Sequence, residues 1–270
     1  MDRTEPEDLL RAGDPDGALA ALQAQIRGRP QDAKLRVFLF QLLCVLGEWE
    51  RAVRQARVAA ELDPAAEPMA RAYREAIICE IYREKVFAGE KAPLVFGQPP
   101  RWLALLIEAL KPLAAGQPAR AAELRAEAFE LAPPTPGNAD GTEFAWIADA
   151  DMRLGPVLEV IVDGKYYWAP FQTIAALSFD APHDLRDQVW TPVEIRWANG
   201  GEVMGFVPTR YPGSWQAKDP ALRLARATEW HDAGAGCYVG TGQRLIATDQ
   251  AEFALQDLRR VLLRPEAPDG

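Results

Sequence analysis

Three stretches of the chain share one spacing, and that spacing constrains the fold more than any other feature of the sequence. Gly13 and Gly47 stand 34 residues apart, as do Ala18 and Ala52, and Pro30 and Pro64. Gly116, Ala121 and Pro133 follow at a spacing of 69, about two periods on. The second copy is the clearest: Leu46-Gly47-Glu48-Trp49-Glu50-Arg51-Ala52, then a helical run closing at Leu62-Asp63-Pro64. Each marker has a physical task. The glycine turns the chain between two antiparallel helices, the small alanine lets them approach, and the proline stops the second.

A period of this length is the tetratricopeptide signature, in which stacked helix pairs bury a continuous core and leave a concave face. The repeat is degenerate. Ile81 stands where a further glycine is due, and only Pro99 and Pro100 keep the punctuation. From about Pro68 to Glu90 the chain reads as one long helix with Tyr73, Ile77, Ile81 and Tyr82 on one side. The competing reading is an irregular bundle with similarly spaced turns. In the second unit, Leu39, Phe40 and Leu43 are expected to pack on its own second helix. Lys34, Val37, Phe38 and Gln41 then share the concave side, where an amphipathic helix from a partner would lie. Alternatively the long helix or the second part of the chain folds over this face and buries Phe38.

The residue grammar changes at Pro133-Pro134-Thr135-Pro136-Gly137-Asn138. Up to there Ala, Leu, Arg and Glu dominate, all good helix formers. Beyond it lie six of the eight tryptophans and several short β-branched runs. The expected division is a tetratricopeptide-like helical domain over 1–132, a Pro/Gly-rich linker over 133–141, and an α+β domain over 142–270 built on a curled antiparallel sheet. Val157 to Val162, Asp163-Gly164 and Lys165 to Trp168 read as a hairpin, and Val193 to Trp197, Asn199-Gly200-Gly201 and Val203 to Val207 as another. Leu245 to Ala247 reads as a strand. Asp249 and Glu252 have capping-box spacing for a helix running to about Leu263.

Charge narrows the partners. The net charge is −9, with 39 acidic and 30 basic residues. Split near Asn138, the first part carries 18 basic and 20 acidic residues and the second 12 and 19. Neither has the basic excess a phosphate backbone demands, so nucleic acid is not expected as a partner. No apolar run reaches the ~18 residues of a membrane span. The opening Met1 to Asp8 is acidic and does not read as a signal peptide. Cys44, Cys79 and Cys237 form no close-spaced pair, so neither a disulfide framework nor a zinc site is expected. Cytoplasm is the expected compartment.

Candidate chemistry is sparse, and no cofactor is expected. The two histidines, His183 and His231, have no Cys or Ser in a recognisable nucleophilic arrangement. Asp149 and Asp151, two residues apart, could share a divalent cation, although Arg153 is an obvious local partner. Gly234, Gly236, Gly240 and Gly242 surround Cys237 without the strand before and helix after that a dinucleotide loop needs, and read as a connection. Arg210 and Tyr211, in Pro208-Thr209-Arg210-Tyr211-Pro212-Gly213-Ser214, are candidates for a recognition loop; the alternative is a structural loop in which Arg210 pins an acidic neighbour. Cys44 and Cys79 read as small core residues.

Several blocks of the second part resemble the ImpE family, also called TagJ or SciE-type, of type VI secretion accessory proteins. They are Phe144 to Asp151 with Arg153-Leu154-Gly155-Pro156, Gly164 with Tyr166-Tyr167-Trp168 and Pro170, and Asp184 to Asp187. Trp190 to Trp197-Ala198-Asn199-Gly200-Gly201 and on to Ser214 matches best, followed by Leu224 to Trp230, Gly242-Gln243-Arg244 and Ala247-Thr248-Asp249. The resemblance implies a cytoplasmic, non-enzymatic adaptor without catalytic residues. It implies binding to the N-terminal helical segment of the small contractile-sheath subunit (TssB) and a role in sheath handling by the ATPase ClpV. The alternatives are a metal-dependent enzyme using Asp149 and Asp151, and a purely structural oligomer subunit.

Overall fold

The protein is described by a computed structural model covering residues 5–264. The opening Met1 to Thr4, half of the acidic stretch noted above, lies outside the described residues.

Seven helices come first: α1 Pro6–Arg11, α2 Pro15–Gly28, α3 Ala33–Val45, α4 Trp49–Leu62, α5 Glu67–Phe87, α6 Arg101–Ala114 and α7 Pro118–Leu131. The repeat markers fall where their chemistry requires. Gly13, Gly47 and Gly116 adopt φ values of +82°, +70° and +71° between paired helices, a conformation that costs other residues a Cβ clash. Ala18, Ala52 and Ala121 are completely buried where the helices close. Asp14 caps α2 by accepting from Gly17 N at 2.8 Å, and Asp32 caps α3 by accepting from Lys34 N and Leu35 N.

The long helix is α5, but its buried side differs from expectation. Tyr73 and Ile77 are buried together with Cys79, Glu80 and Arg83, whereas Ile81 is exposed and Tyr82 only half-buried. Apolar spacing alone could not reveal that two charged residues, Glu80 and Arg83, face inward in place of Ile81.

The remaining strands are β1 Gly137–Ala139, β2 Thr142–Phe144, β3 Ile147–Asp149, β4 Val157–Val162, β5 Lys165–Pro170, β6 Ile174–Phe179, β7 Trp190–Trp197, β8 Glu202–Pro208, β9 Thr228–Asp232, β10 Tyr238–Gly242, β11 Leu245–Thr248, β12 Glu252–Ala254 and β13 Arg260–Leu263, with a short α8 Pro220–Arg223. Eight of them form an antiparallel sheet in the order β2-β1-β13-β6-β7-β8-β4-β5. The chain is therefore α+β, with helices first and an antiparallel sheet after. Both expected hairpins form. Asp163 and Gly164, at φ +48° and +67°, make the tight β4–β5 turn that an Asp-Gly pair favours.

One sequence expectation fails here. The segment from Asp249 to Leu263 is not a helix but carries β12 and β13. The Asp249 carboxylate accepts from Ala145 N at 2.7 Å instead of capping a helix. Val261 and Leu263 face a core, and β13 fills the slot between β1 and β6, so long-range pairing outweighs the local capping pattern. Within the Pro/Gly-rich stretch 133–141, Thr135 is buried and β1 pairs with both β2 and β13.

Two apolar cores share the sheet. On one face Trp168, Trp190, Tyr166 and Ile161 join Phe40, Leu43, Trp49, Tyr73 and Ile77 of the helices in a single cluster. On the other, Val160, Leu177 and Ile195 pack under Ile246, Leu255 and Leu258. The sheet thus covers much of one side of the helices, which decides where a partner could reach them.

Candidate functional site

What remains open on that side is a cleft of about 560 Å³, bounded by α1, α3, the segment Pro182–Gln188 and the chain after α8. Phe38 and Gln41 line it from α3. Leu10, Leu185 and Leu224 supply further apolar wall, and Glu7, Arg11, His183, Asp184 and Arg226 supply polar groups. Two of the expected contact residues therefore meet a common cavity. Lys34, exposed, and Val37, half-buried, lie outside its lining.

The wall opposite α3 is held by its own hydrogen bonds. The Asp187 carboxylate accepts from His183 N at 2.7 Å and Asp184 N at 3.1 Å, while Asp184 accepts from Arg186 N at 2.8 Å. This reciprocal capping box fixes the turn over Leu185–Gln188. Burial would raise the Asp184 acid, but the side-chain and backbone hydrogen bonds from Arg186 outweigh it and hold the carboxyl below its usual range. The Arg186 guanidinium also lies 4.7 Å above the Tyr73 ring, fastening the segment to α5. Arg226 closes the cleft's end by donating to Leu10 O at 2.9 Å and Arg11 O at 3.3 Å, carbonyls at the end of α1.

Arg210 and Tyr211 are not part of any open surface. Arg210 is buried and donates to Val45 O at 2.8 Å and Cys44 O at 3.4 Å, capping the end of α3 as Arg226 caps α1. Burial lowers its pKa to about 10, against the opposing pull of the Glu80 charge. The Tyr211 hydroxyl donates to Leu245 O and accepts from Leu245 N, and its ring fills the space that a side chain at Gly240 would need. Expected on a recognition loop, both side chains are instead interior: Arg210 ties the second part of the chain to α3, pinning backbone carbonyls rather than an acidic neighbour, and Tyr211 packs within the second part.

Asp149 and Asp151 are also buried. Asp149 pairs with Arg244 and accepts from Asp151 N at 2.8 Å. Asp151 accepts from Arg153 Nε at 2.9 Å and from Gly240 N at 2.9 Å. Among the described residues no group of three or more His, Cys, Asp or Glu side chains is disposed to hold a metal. Instead the two acids belong to a buried ionic cluster centred on Glu159, which accepts from Arg83 Nε at 2.6 Å and Nη2 at 2.9 Å and also contacts Arg244 and Tyr166. Burial opposes the Glu159 charge, yet Arg83 and Arg244 prevail and take its pKa down to about 2. At Asp149 burial prevails over Arg244, and the pKa rises to about 7.

The sequence reading missed Arg83, Glu159 and Arg244. One signal was present: Glu159 is the lone charge in Val157-Leu158-Glu159-Val160-Ile161-Val162, a strand buried throughout. The glycines around Cys237 serve the β9–β10 hairpin: Gly234 and Gly236 take positive φ in its turn, and Gly240 and Gly242 lie within β10. Burial pushes the Cys79 thiol up to about 12 and raises Cys44 and Cys237 as well, so all three are protonated core residues. No described helix is long and apolar enough to cross a membrane.

Comparison with known proteins agrees with this architecture. The sequence model of the ImpE family, described as "ImpE protein", matches residues 141–262. A Pseudomonas aeruginosa protein named type VI secretion system accessory component TagJ is 50% identical over 259 residues, which cover 96% of this chain and 91% of that one. The crystal structure of protein VPA1032 from Vibrio parahaemolyticus superposes with a TM-score of 0.88 at 27% identity, over 97% of this chain and 98% of that one.

Proposed function

Because this chain belongs to the ImpE family of type VI secretion accessory components, we propose that it is a non-enzymatic adaptor whose cleft holds a helical segment of a partner. The partner in this reading is the small contractile-sheath subunit (TssB), engaged through its N-terminal helix in the cytoplasm, with ClpV acting on the sheath so presented. One observation carries the reading. Phe38 and Gln41, a helical turn apart on α3, meet Leu10, Leu185 and Leu224 in a single cleft with charged groups at its margin. An apolar floor with a polar margin is what an amphipathic helix requires. The engagement of Asp149 and Asp151 by Arg244 and Arg153 favours the adaptor over a metal-dependent enzyme.

The test is binding of a fluorescent peptide from the N-terminal helix of the sheath subunit. Phe38→Ala with Gln41→Ala is expected to weaken binding by about tenfold or more, since an aromatic anchor in a cleft carries much of such an interface. Phe38 is only half-buried, so the melting temperature should change little. Unchanged peptide affinity in the double variant would sink the cleft assignment.

A further inference from the structure

Helices α3 and α5 begin 34 residues apart, at Ala33 and Glu67, so the repeat sets them in one register. Phe40 and Cys44 lie on the side of α3 that receives the next helix of the stack. Both are fully buried, and the Phe40 ring meets Tyr73 of α5 edge-on at 5.9 Å. One period on, the same positions of α5 are Arg74 and Ile78. There the packing does not repeat: Arg74 is exposed and Ile78 is 51% exposed. The following helix, α6, meets the end of α5 instead, where Gly89 lies against the Lys111 backbone. Ile81, which stands where the repeat calls for a turn glycine, is 38% exposed because α5 runs on past that point.

Arg71, Arg74, Ile78, Ile81 and Lys85 are all exposed and follow one another at spacings of three and four residues, so they share one helix face. Its middle is apolar and both its ends are cationic. We propose that this stripe docks an amphipathic helix of a partner protein, with apolar residues at matching spacing between acidic ends, stacked where the next helix of the repeat would lie. A solenoid face is shaped to accept a helix, because each unit buries its apolar side only against the next. The cations select the partner's charge: Arg71 is held only loosely by Glu75, at 3.9 Å, and its side chain is 81% exposed. The same charges argue against a second copy of this chain. An antiparallel pair of α5 helices sets Arg71 and Arg74 against Lys85, and a parallel pair sets each cation against itself, so like charges oppose both. This surface is separate from the cleft and does not depend on what fills it.

The probe is a synthetic helical peptide of roughly 15 residues with leucines at three- and four-residue spacing and glutamates at both ends, beside a counterpart with lysines at the ends. The full chain is expected to bind the glutamate peptide about tenfold more tightly than the lysine peptide. Ile78→Ser with Ile81→Ser should abolish that binding while leaving the melting temperature unchanged, since both side chains are exposed. Arg74→Glu with Lys85→Glu should reverse the preference between the two peptides. Equal binding of both peptides would overturn the proposal, as would binding that survives the serine variant but is lost on Phe38→Ala. Dimerisation in sedimentation that is abolished by the serine variant would overturn it too, by making a second copy the occupant.

Discussion

Arg83 of helix α5 grips Glu159 of strand β4 with two hydrogen bonds, of 2.6 and 2.9 Å, across 76 residues of sequence. Neither side chain is more than 1% exposed. Arg83 also donates to Glu80 and to Arg210 O, and Glu159 takes Arg244 from the other side. The pair therefore lies at the contact between the helical repeat and the sheet, inside the region where Trp168, Trp190 and Tyr73 exclude water. Through Arg210, whose carbonyl accepts from Arg83 and whose guanidinium caps α3, the contact is linked to the α3 wall of the cleft.

Removing one side of the cluster should be costly. Glu159→Ala removes the anion that Arg83 and Arg244 share and leaves each with a single acid, Glu80 and Asp149, a buried imbalance worth up to about 3 to 5 kcal/mol of stability. Urea denaturation is expected to show that loss, with Glu159→Gln somewhat milder because the amide still accepts a hydrogen bond. A loss under about 1 kcal/mol for Glu159→Ala would mean that water reaches the cluster on a small rearrangement.

The acids of the cluster give opposite pH signatures. Glu159 has a folded pKa of about 2, below its unfolded value, so its contribution is present above about pH 4.3 and fades as pH falls toward 2. Asp149 has a folded pKa of about 7, above its unfolded value of about 3.9. Between those limits the folded chain holds a proton that the unfolded chain has lost, so this group makes stability fall as pH rises from about 4 to 7. Asp149→Asn is expected to flatten that slope in thermal melts taken between pH 5 and pH 8. Parallel curves for wild type and variant would show that Arg244 keeps Asp149 ionised throughout.

The helix pairs were legible because their markers act locally. A glycine at positive φ, a buried alanine and a helix-stopping proline each do their work within a few residues, as Gly47, Ala52 and Pro64 do. The Asp163-Gly164 hairpin was legible for the same reason. The α3 face with Phe38 and Gln41 could be placed by helical spacing, but the wall opposite could not. Leu185 and Leu224 reach the cleft through tertiary folding, with only the Asp184–Asp187 spacing as a local sign. Arg210 shows the limit most clearly: an arginine after a hairpin looks the same in sequence whether it faces a partner or caps Val45 and Cys44 from the far half of the chain. The end of the chain misled because the capping spacing of Asp249 and Glu252 is satisfied equally well by a turn bonded to Ala145.

We propose that the parts on either side of residues 133–141 fold together and not as independent units. Separating them would bare Trp168, Trp190 and Tyr166 on one side and Phe40, Tyr73 and Ile77 on the other. Residues 142–264 expressed alone are expected to lack a cooperative thermal transition. In the full chain, protease should spare 133–141, where Thr135 is buried and β1 is paired on both edges. A soluble, cooperatively melting 142–264 fragment would show that the sheet needs no helical cover.

The turn glycines of the repeat offer a paired test, because two of them share a backbone conformation but not their surroundings. Gly13, at φ +82°, has open space where a Cβ would stand, so Gly13→Ala carries only the left-handed backbone cost of roughly 1 to 2 kcal/mol. Gly47, at φ +70°, would drive its Cβ into the Trp215 indole. That ring cannot retreat freely, since its Nε1 donates to Glu84 of α5 at 2.9 Å and Trp215 packs against the shared core. Gly47→Ala should therefore cost at least about 1 kcal/mol more than Gly13→Ala, the usual range for overpacking a fitted site. Combining it with Trp215→Ala should remove the excess, leaving the two glycine positions with equal backbone penalties in denaturant unfolding. If Gly47→Ala costs no more than Gly13→Ala in the wild-type background, the 214–216 turn does not fasten the second repeat.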